Sequence, residues 1–129
     1  MTYHELEIVT LLALLEYLIL GVMVGRARGT YGVEAPATTG NPDFERIYRV
    51  HVNTLEALIV FIPAVWIFSM AVHYKTAVVL GLLFLIARVI YARGYMNAAS
   101  KRGTGAALSA GINVILVVGS LIALAIRVI

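Results

Sequence analysis

The sequence predicts an all-helical integral membrane protein: a single domain over residues 1–129, built as a bundle of four transmembrane helices. Two observations of composition and one of pattern carry this. Of 129 residues, 61% are apolar and 13% charged, far from a soluble average and too apolar for so short a chain to bury alone. The mean hydropathy of +0.93 points to a surface that faces something other than water. The apolar residues come in four blocks of about 20, each long enough at about 1.5 Å per residue to cross a ~30 Å hydrocarbon layer.

The first span is expected over 6–24, "LEIVTLLALLEYLILGVMV", closed by Gly25 and Arg26. Glu5 and Glu7 stand at its start and no basic segment precedes it, so it reads as a retained helix rather than a cleaved signal peptide. Glu16 lies mid-span and must find a partner, for which a structural contact inside the bundle is expected. The second span is expected over 47–72, with Pro63 set to kink it. The third follows over 77–95 after the short "HYK" connection. Spans two and three therefore form a tight antiparallel hairpin, which His73 is expected to cap. The fourth span is expected over 106–126, where Gly111 and Gly119, like the glycine of "GLLFLIA" in span three, predict close helix packing. The longer connections, "RARGTYGVEAPATTGNPD" and "NAASKRGTG", hold the turn residues and much of the charge.

Charge sets the topology. Arg26, Arg28, Arg46, Arg49, Arg88, Arg93, Lys101 and Arg102 lie toward the first and third connections, against Lys75 and Arg127 at the opposite end. This asymmetry predicts that connections one and three are cytoplasmic and both termini are on the other side. The net charge of +3 is thus charge flanking a membrane, and no nucleic-acid partner is expected. The absence of cysteine excludes a disulfide framework, a thiolate metal site and a cysteine nucleophile. His4, His51 and His73 are too dispersed for a metal triad, so no metal is expected.

The informative residues are the polar ones inside the spans. At about 100° per residue, Asn53 and Glu56 fall within about 40° of Arg49, so the three form one stripe on span two. Glu45, a turn away, can pair with Arg49. Such a stripe is either an interhelical polar clamp or one wall of a ligand site, since ionisable groups at membrane depth usually face a cavity. Both readings stand on this stripe alone. On one continuous helix, Tyr91, Tyr95 and Arg102 fall within about 60° of Arg88, giving span three a second stripe at the same membrane end. Interfacial anchoring explains tyrosines and arginines at that depth, and it suits Arg93 and Lys101, which lie off the stripe. Two converging stripes add guanidinium forks for carboxylates, a carboxylate for an ammonium, and phenolic donors. That set suits a small zwitterion with several carboxylates, entering from the cytoplasm while an apolar partner approaches through lipid.

The segments "PDFERIYRVHVNTLEA" and "ARVIYARGYMNAASKR" closely resemble the membrane-associated proteins in eicosanoid and glutathione metabolism, the MAPEG family. The likeness runs from "RARG" and "TTGNPDFER" through "SKR". It is nearest to the branch holding leukotriene C synthases and microsomal glutathione S-transferases. The resemblance implies a homotrimer of four-helix subunits with glutathione, the co-substrate, held between adjacent subunits near the cytoplasmic side. Carried over by position, it implies that Arg49, Asn53 and Glu56 bind glutathione, that His51 joins them, and that Arg28 reaches a glutathione carboxylate. It further implies that Tyr91 and Tyr95 line the site and that Arg102 stabilises the thiolate. Two departures stand out: Ala57 replaces a tyrosine and Gly29 a second consecutive arginine, which implies a less selective transferase than a leukotriene synthase.

The chemistry follows from the thiol itself. A free thiol with a pKa of ~8.5 is only a few per cent thiolate near neutrality, and burial without a compensating cation lowers that fraction further. Arg102, always charged and able to aim N–H groups at sulfur, is the expected catalytic cation, with Tyr91 as an assisting donor. The thiolate would attack an electrophilic carbon, or a peroxide oxygen, of a lipophilic substrate among membrane lipids. The expected activity is therefore that of a microsomal-type glutathione transferase, with glutathione peroxidase activity as a second outcome of the same thiolate chemistry. The alternatives are a non-catalytic lipid-binding member of the family and a small channel or transporter. Retention of the residues above favours the enzyme. The stripes stop on one membrane half, which counts against a pore.

Overall fold

The structure, a computed structural model, describes residues 4–129. Its elements are α1 (His4–Tyr31), α2 (Pro42–Ala71), α3 (Tyr74–Asn97), a short 3₁₀ turn (Ala99–Arg102) and α4 (Gly103–Val128). No strand occurs among the described residues. All four α-helices are long and apolar enough to cross a membrane, and all four predicted spans are present.

The ends differ from the expected ones for local reasons. α1 does not stop at Gly25 but continues to Tyr31, so Arg26 and Arg28 lie on the helix. It ends at Gly32, whose φ of 68° is the left-handed conformation that a helix terminus assigns to glycine. The Val33 N–H then returns to the Arg28 carbonyl at 3.1 Å. α2 begins earlier than expected because Asn41 caps it: the Asn41 carboxamide oxygen accepts from the N–H groups of Asp43 (2.9 Å) and Phe44 (3.1 Å). Pro42 then occupies the first turn, where its missing N–H costs nothing. α2 is continuous through Pro63 to Ala71. Only Val72 and His73 separate it from α3. His73 caps α3 as expected, its ring nitrogen accepting from the Thr76 N–H at 3.3 Å.

The core runs down the bundle axis where residues of all four helices meet: Leu6, Val9 and Ala13 of α1, Phe61 and Val65 of α2, Phe84 of α3, and Leu116 of α4. Phe61 and Phe84 stack with centroids 3.9 Å apart. Gly81 lets Val9 come so near that a Cβ there would lie 2.7 Å from the valine methyl, so that glycine packs closely, as expected. Gly119 does the same against Phe68, at 2.9 Å. Gly111 does not, because nothing lies within 4 Å of where its Cβ would be. The outward faces carry Leu11, Leu18, Ile59, Val79 and Ile122, all well exposed, a surface that hydrocarbon solvates.

Polar ties fix the ends of the bundle. The Tyr74 hydroxyl donates to Glu5 at 2.6 Å, joining the start of α3 to α1. Arg127 donates to the Ala71 carbonyl at 2.7 Å, joining the end of α4 to α2. Deeper in the bundle, the Trp66 indole N–H donates to Thr10 at 3.0 Å and Asn113 to the Ala57 carbonyl at 3.2 Å. Glu16 is half-buried, and the hydrogen-bonded contact expected for it inside the bundle is not formed among the described residues, where one enclosed carboxylate oxygen has no hydrogen-bond partner.

Candidate functional site

The polar stripe of α2 faces the C-terminal end of α3 across a cavity of about 380 Å³, lined by Arg49, Val52, Asn53, Glu56, Tyr91, Tyr95, Arg102 and Ala106. Six residues singled out in the sequence therefore converge: Arg49, Asn53, Glu56, Tyr91, Tyr95 and Arg102. The volume lies within the range of small-molecule sites. Tyr91 and Tyr95, one turn apart on α3, hold their rings 5.7 Å apart.

Arg102 reaches the site by a route that helical periodicity does not describe. α3 ends at Asn97, and the chain turns back through the 3₁₀ segment so that the Lys101 carbonyl lies against Gly94. A Cβ on Gly94 would meet that oxygen at 2.4 Å, so glycine there is what admits the return. The Ala98 N–H still bonds to the Gly94 carbonyl at 3.0 Å. Arg102 then donates to the Ala99 carbonyl at 2.7 Å, and its guanidinium lies 5.8 Å from the Tyr95 ring centroid. Arg102 is thus not on the face of α3 at all but precedes α4. Gly105 completes the corner, pressing α4 against the Tyr91 backbone, where a Cβ would lie 2.3 Å from the amide nitrogen.

Arg88 is also placed differently from the expected stripe. Its side chain turns into the bundle and is only 2% exposed, bonding to Thr54 (2.8 Å), Asn53 (3.1 Å) and Ser109 (3.2 Å). A guanidinium with such partners is an interior anchor and not a headgroup contact. The expected Glu45–Arg49 pair is not formed; among the described residues the ion pairs are His4–Glu7 and Arg46–Asp43. Arg46 also donates to the Met96 carbonyl at 3.3 Å, tying the start of α2 to the end of α3.

Two further candidates lie away from the cavity. His51, two residues from Arg49 and so on the opposite side of α2, stacks on Tyr17 of α1 with centroids 4.4 Å apart. Arg28 organises the first connection: it donates to the carbonyls of Val33 (3.3 Å) and Ala37 (2.7 Å) and lies 5.0 Å from the Phe44 ring centroid. Sequence reasoning missed Gly94 and Gly105, which shape the site, and Thr54 and Ser109, which hold Arg88. The signal available for Arg88 was its isolation in the apolar run "LGLLFLIARVI".

A second cavity, about 320 Å³, adjoins the first along α2 and α4 and shares Asn53, Glu56 and Ala106 with it while adding Ala57, Arg88 and Asn113. Farther along the same two helices is an apolar cavity of about 350 Å³ between Val60, Pro63 and Ile67 of α2 and Leu116, Val117 and Leu124 of α4. The α2–α4 face therefore grades from charged to apolar along its length.

The profile described as the MAPEG family matches residues 6–122. The chain is 49% identical over 127 residues to an uncharacterized protein of Synechocystis, covering 96% of this chain and 93% of that one. It is 38% identical over 107 residues to human microsomal glutathione S-transferase 2, covering 83% and 73%, and 39% identical over 94 residues to bovine leukotriene C4 synthase, covering 73% and 63%. The four apolar helices and these likenesses together describe an integral, multi-pass membrane protein, and the chain belongs to the MAPEG family.

Proposed function

We propose that this protein is a membrane-bound glutathione transferase that activates the glutathione thiol as a thiolate for attack on a lipophilic electrophile or hydroperoxide. The observation that carries the reading is the convergence of Arg49, Asn53, Glu56, Tyr91, Tyr95 and Arg102 on one cavity. The set suits the tripeptide: the Arg49 guanidinium fork for a carboxylate, Glu56 for the ammonium, an amide and phenols for the peptide groups, and Arg102 for sulfur. The microsomal glutathione S-transferase and leukotriene synthase relatives support the same co-substrate.

In the transferase reaction the thiolate sulfur forms a bond to an electrophilic carbon as the bond to the leaving group breaks; an alkoxide leaving group takes up the proton the thiol gave up, whereas a halide leaves as the anion and the proton goes to solvent. With a hydroperoxide, sulfur attacks the terminal oxygen, the O–O bond breaks, and the alkoxide leaves as the alcohol with the proton the thiol gave up, leaving sulfur as the sulfenic acid. A second glutathione then resolves the sulfenic acid to the disulfide, releasing water. The gradient along α2 and α4 suits an apolar substrate that keeps its chain among Val60, Ile67 and Leu124 while its reactive end lies near Ala57.

A homotrimer belongs to this proposal. Arg49 and Glu56 are exposed in the single chain, and charged groups open to hydrocarbon are costly, so a neighbouring subunit over that face would relieve the cost. Arg28 and His51 stand away from the cavity of their own chain, and a neighbour could bring their equivalents to it. The excess of basic residues near connections one and three supports a site on the cytoplasmic side.

The test is binding and turnover in detergent or liposomes. Glutathione should raise the unfolding temperature, and a soluble aryl halide should be conjugated. Glu56→Gln should weaken glutathione binding by about tenfold or more, the scale of one lost charge-assisted contact. Protein that glutathione neither stabilises nor uses would overturn the reading.

A further inference from the structure

Arg88 is the one charged residue that is fully buried among the described residues of the bundle. Among the described residues no carboxylate lies within ion-pair distance of it, although Glu16 of α1 is near enough to act on it through charge, and its hydrogen-bond acceptors are all neutral: Asn53 Oδ1, Thr54 Oγ1 and Ser109 Oγ. A packing role alone would be served by an apolar side chain of similar volume, since burying a charge without an ionic partner costs several kcal/mol. What distinguishes Arg88 is where its bonds lead. Asn53 lines the glutathione cavity. So does Tyr91, whose ring centroid lies 4.2 Å from the Arg88 guanidinium.

An arginine has only donors, so the Asn53 group that meets it must be the carbonyl oxygen. The amide NH₂ is thereby released from that contact and left as the end of Asn53 available to the cavity. The cation also polarises the amide, making the NH₂ a stronger donor to an anionic acceptor. We infer that Arg88 is a positioning residue for the glutathione site, holding Asn53 with its NH₂ toward the ligand and bracing Tyr91 from behind. This rests on the glutathione reading of the cavity. Arg88 touches no reacting atom and acts through the residues that line the site.

A double-mutant cycle tests it, read as the glutathione dissociation constant and as KM against kcat. Arg88→Lys and Asn53→Ala should each weaken glutathione binding by about tenfold. The double variant should be no weaker than the worse single one, because residues that act through one another do not add. KM for glutathione should rise while kcat changes much less. Asn53→Asp covers the case in which Arg88→Lys fails to fold. A carboxylate at that position pairs with the guanidinium and keeps or raises the unfolding temperature, yet it removes the NH₂ donor and should lose at least tenfold in affinity. Multiplying effects in the cycle, or wild-type affinity in Arg88→Lys or Asn53→Asp, would overturn the inference while leaving the functional reading intact. Wild-type protein that binds no glutathione would overturn that reading itself.

Discussion

Arg102→Ala should abolish the near-ultraviolet thiolate band expected of the proposed wild-type glutathione complex, and should lower kcat for conjugation by about 10²–10³, the scale of removing one preorganised donor from a developing or resident anion. The reason is electrostatic. An ordinary thiol with a pKa of ~8.5 is mostly protonated at neutral pH, and each unit by which a cation lowers that value is worth ~1.4 kcal/mol. Arg102 can supply that stabilisation because the Ala99 carbonyl and the Tyr95 ring hold its guanidinium at the cavity. The sign with pH is fixed. A bound thiol whose pKa is lowered is thiolate at neutrality, whereas without the cation it deprotonates only as pH approaches and passes ~8.5. The deficit of Arg102→Ala should therefore shrink as pH rises, and its glutathione KM should move less than kcat. A variant that keeps the band at neutral pH would remove Arg102 from the chemistry.

The stripe of Arg49, Asn53 and Glu56 was legible because it lies within one continuous helix, where a period of about 3.6 residues governs which side chains share a face. The second stripe was legible only in part. Tyr91 and Tyr95 share the cavity for the expected reason, but Arg102 arrives by a chain reversal over Gly94. No proline marks the end of α3, so a helical projection carried on past Asn97. Arg88 escaped for a different reason. Its direction is set by Thr54 and Asn53 on α2 and Ser109 on α4, and the periodicity of α3 says nothing of acceptors on other helices. His51 was assigned through likeness alone, and its place on the far side of α2, against Tyr17, was already implied by its two-residue spacing from Arg49. The extent of α1 was hidden by Gly25, which reads as a stop yet sits within the helix, while the actual stop, Gly32, is the one with positive φ.

Gly105→Ala should cost about 1–3 kcal/mol of stability, the usual range for forcing a methyl group into a filled site, and should weaken glutathione binding as well. The added Cβ would lie 2.3 Å from the Tyr91 nitrogen and 2.5 Å from its Cα. These are backbone atoms of α3, so no side-chain rotation relieves the clash, and α3 and α4 must separate at the corner where Tyr91 and Arg102 line the cavity. Gly111→Ala is the control on the same helix. Nothing lies within 4 Å of its Cβ position in the chain, and alanine is the better helix former by about 1 kcal/mol, so it should leave stability unchanged or raise it and leave binding alone. Thermal unfolding and glutathione titration of the two variants side by side decide the matter. Equal behaviour at the two glycines would mean that the α3–α4 contact does not shape the site. A loss confined to Gly105→Ala, in both measurements, would show that bundle packing and site geometry are set at the same corner.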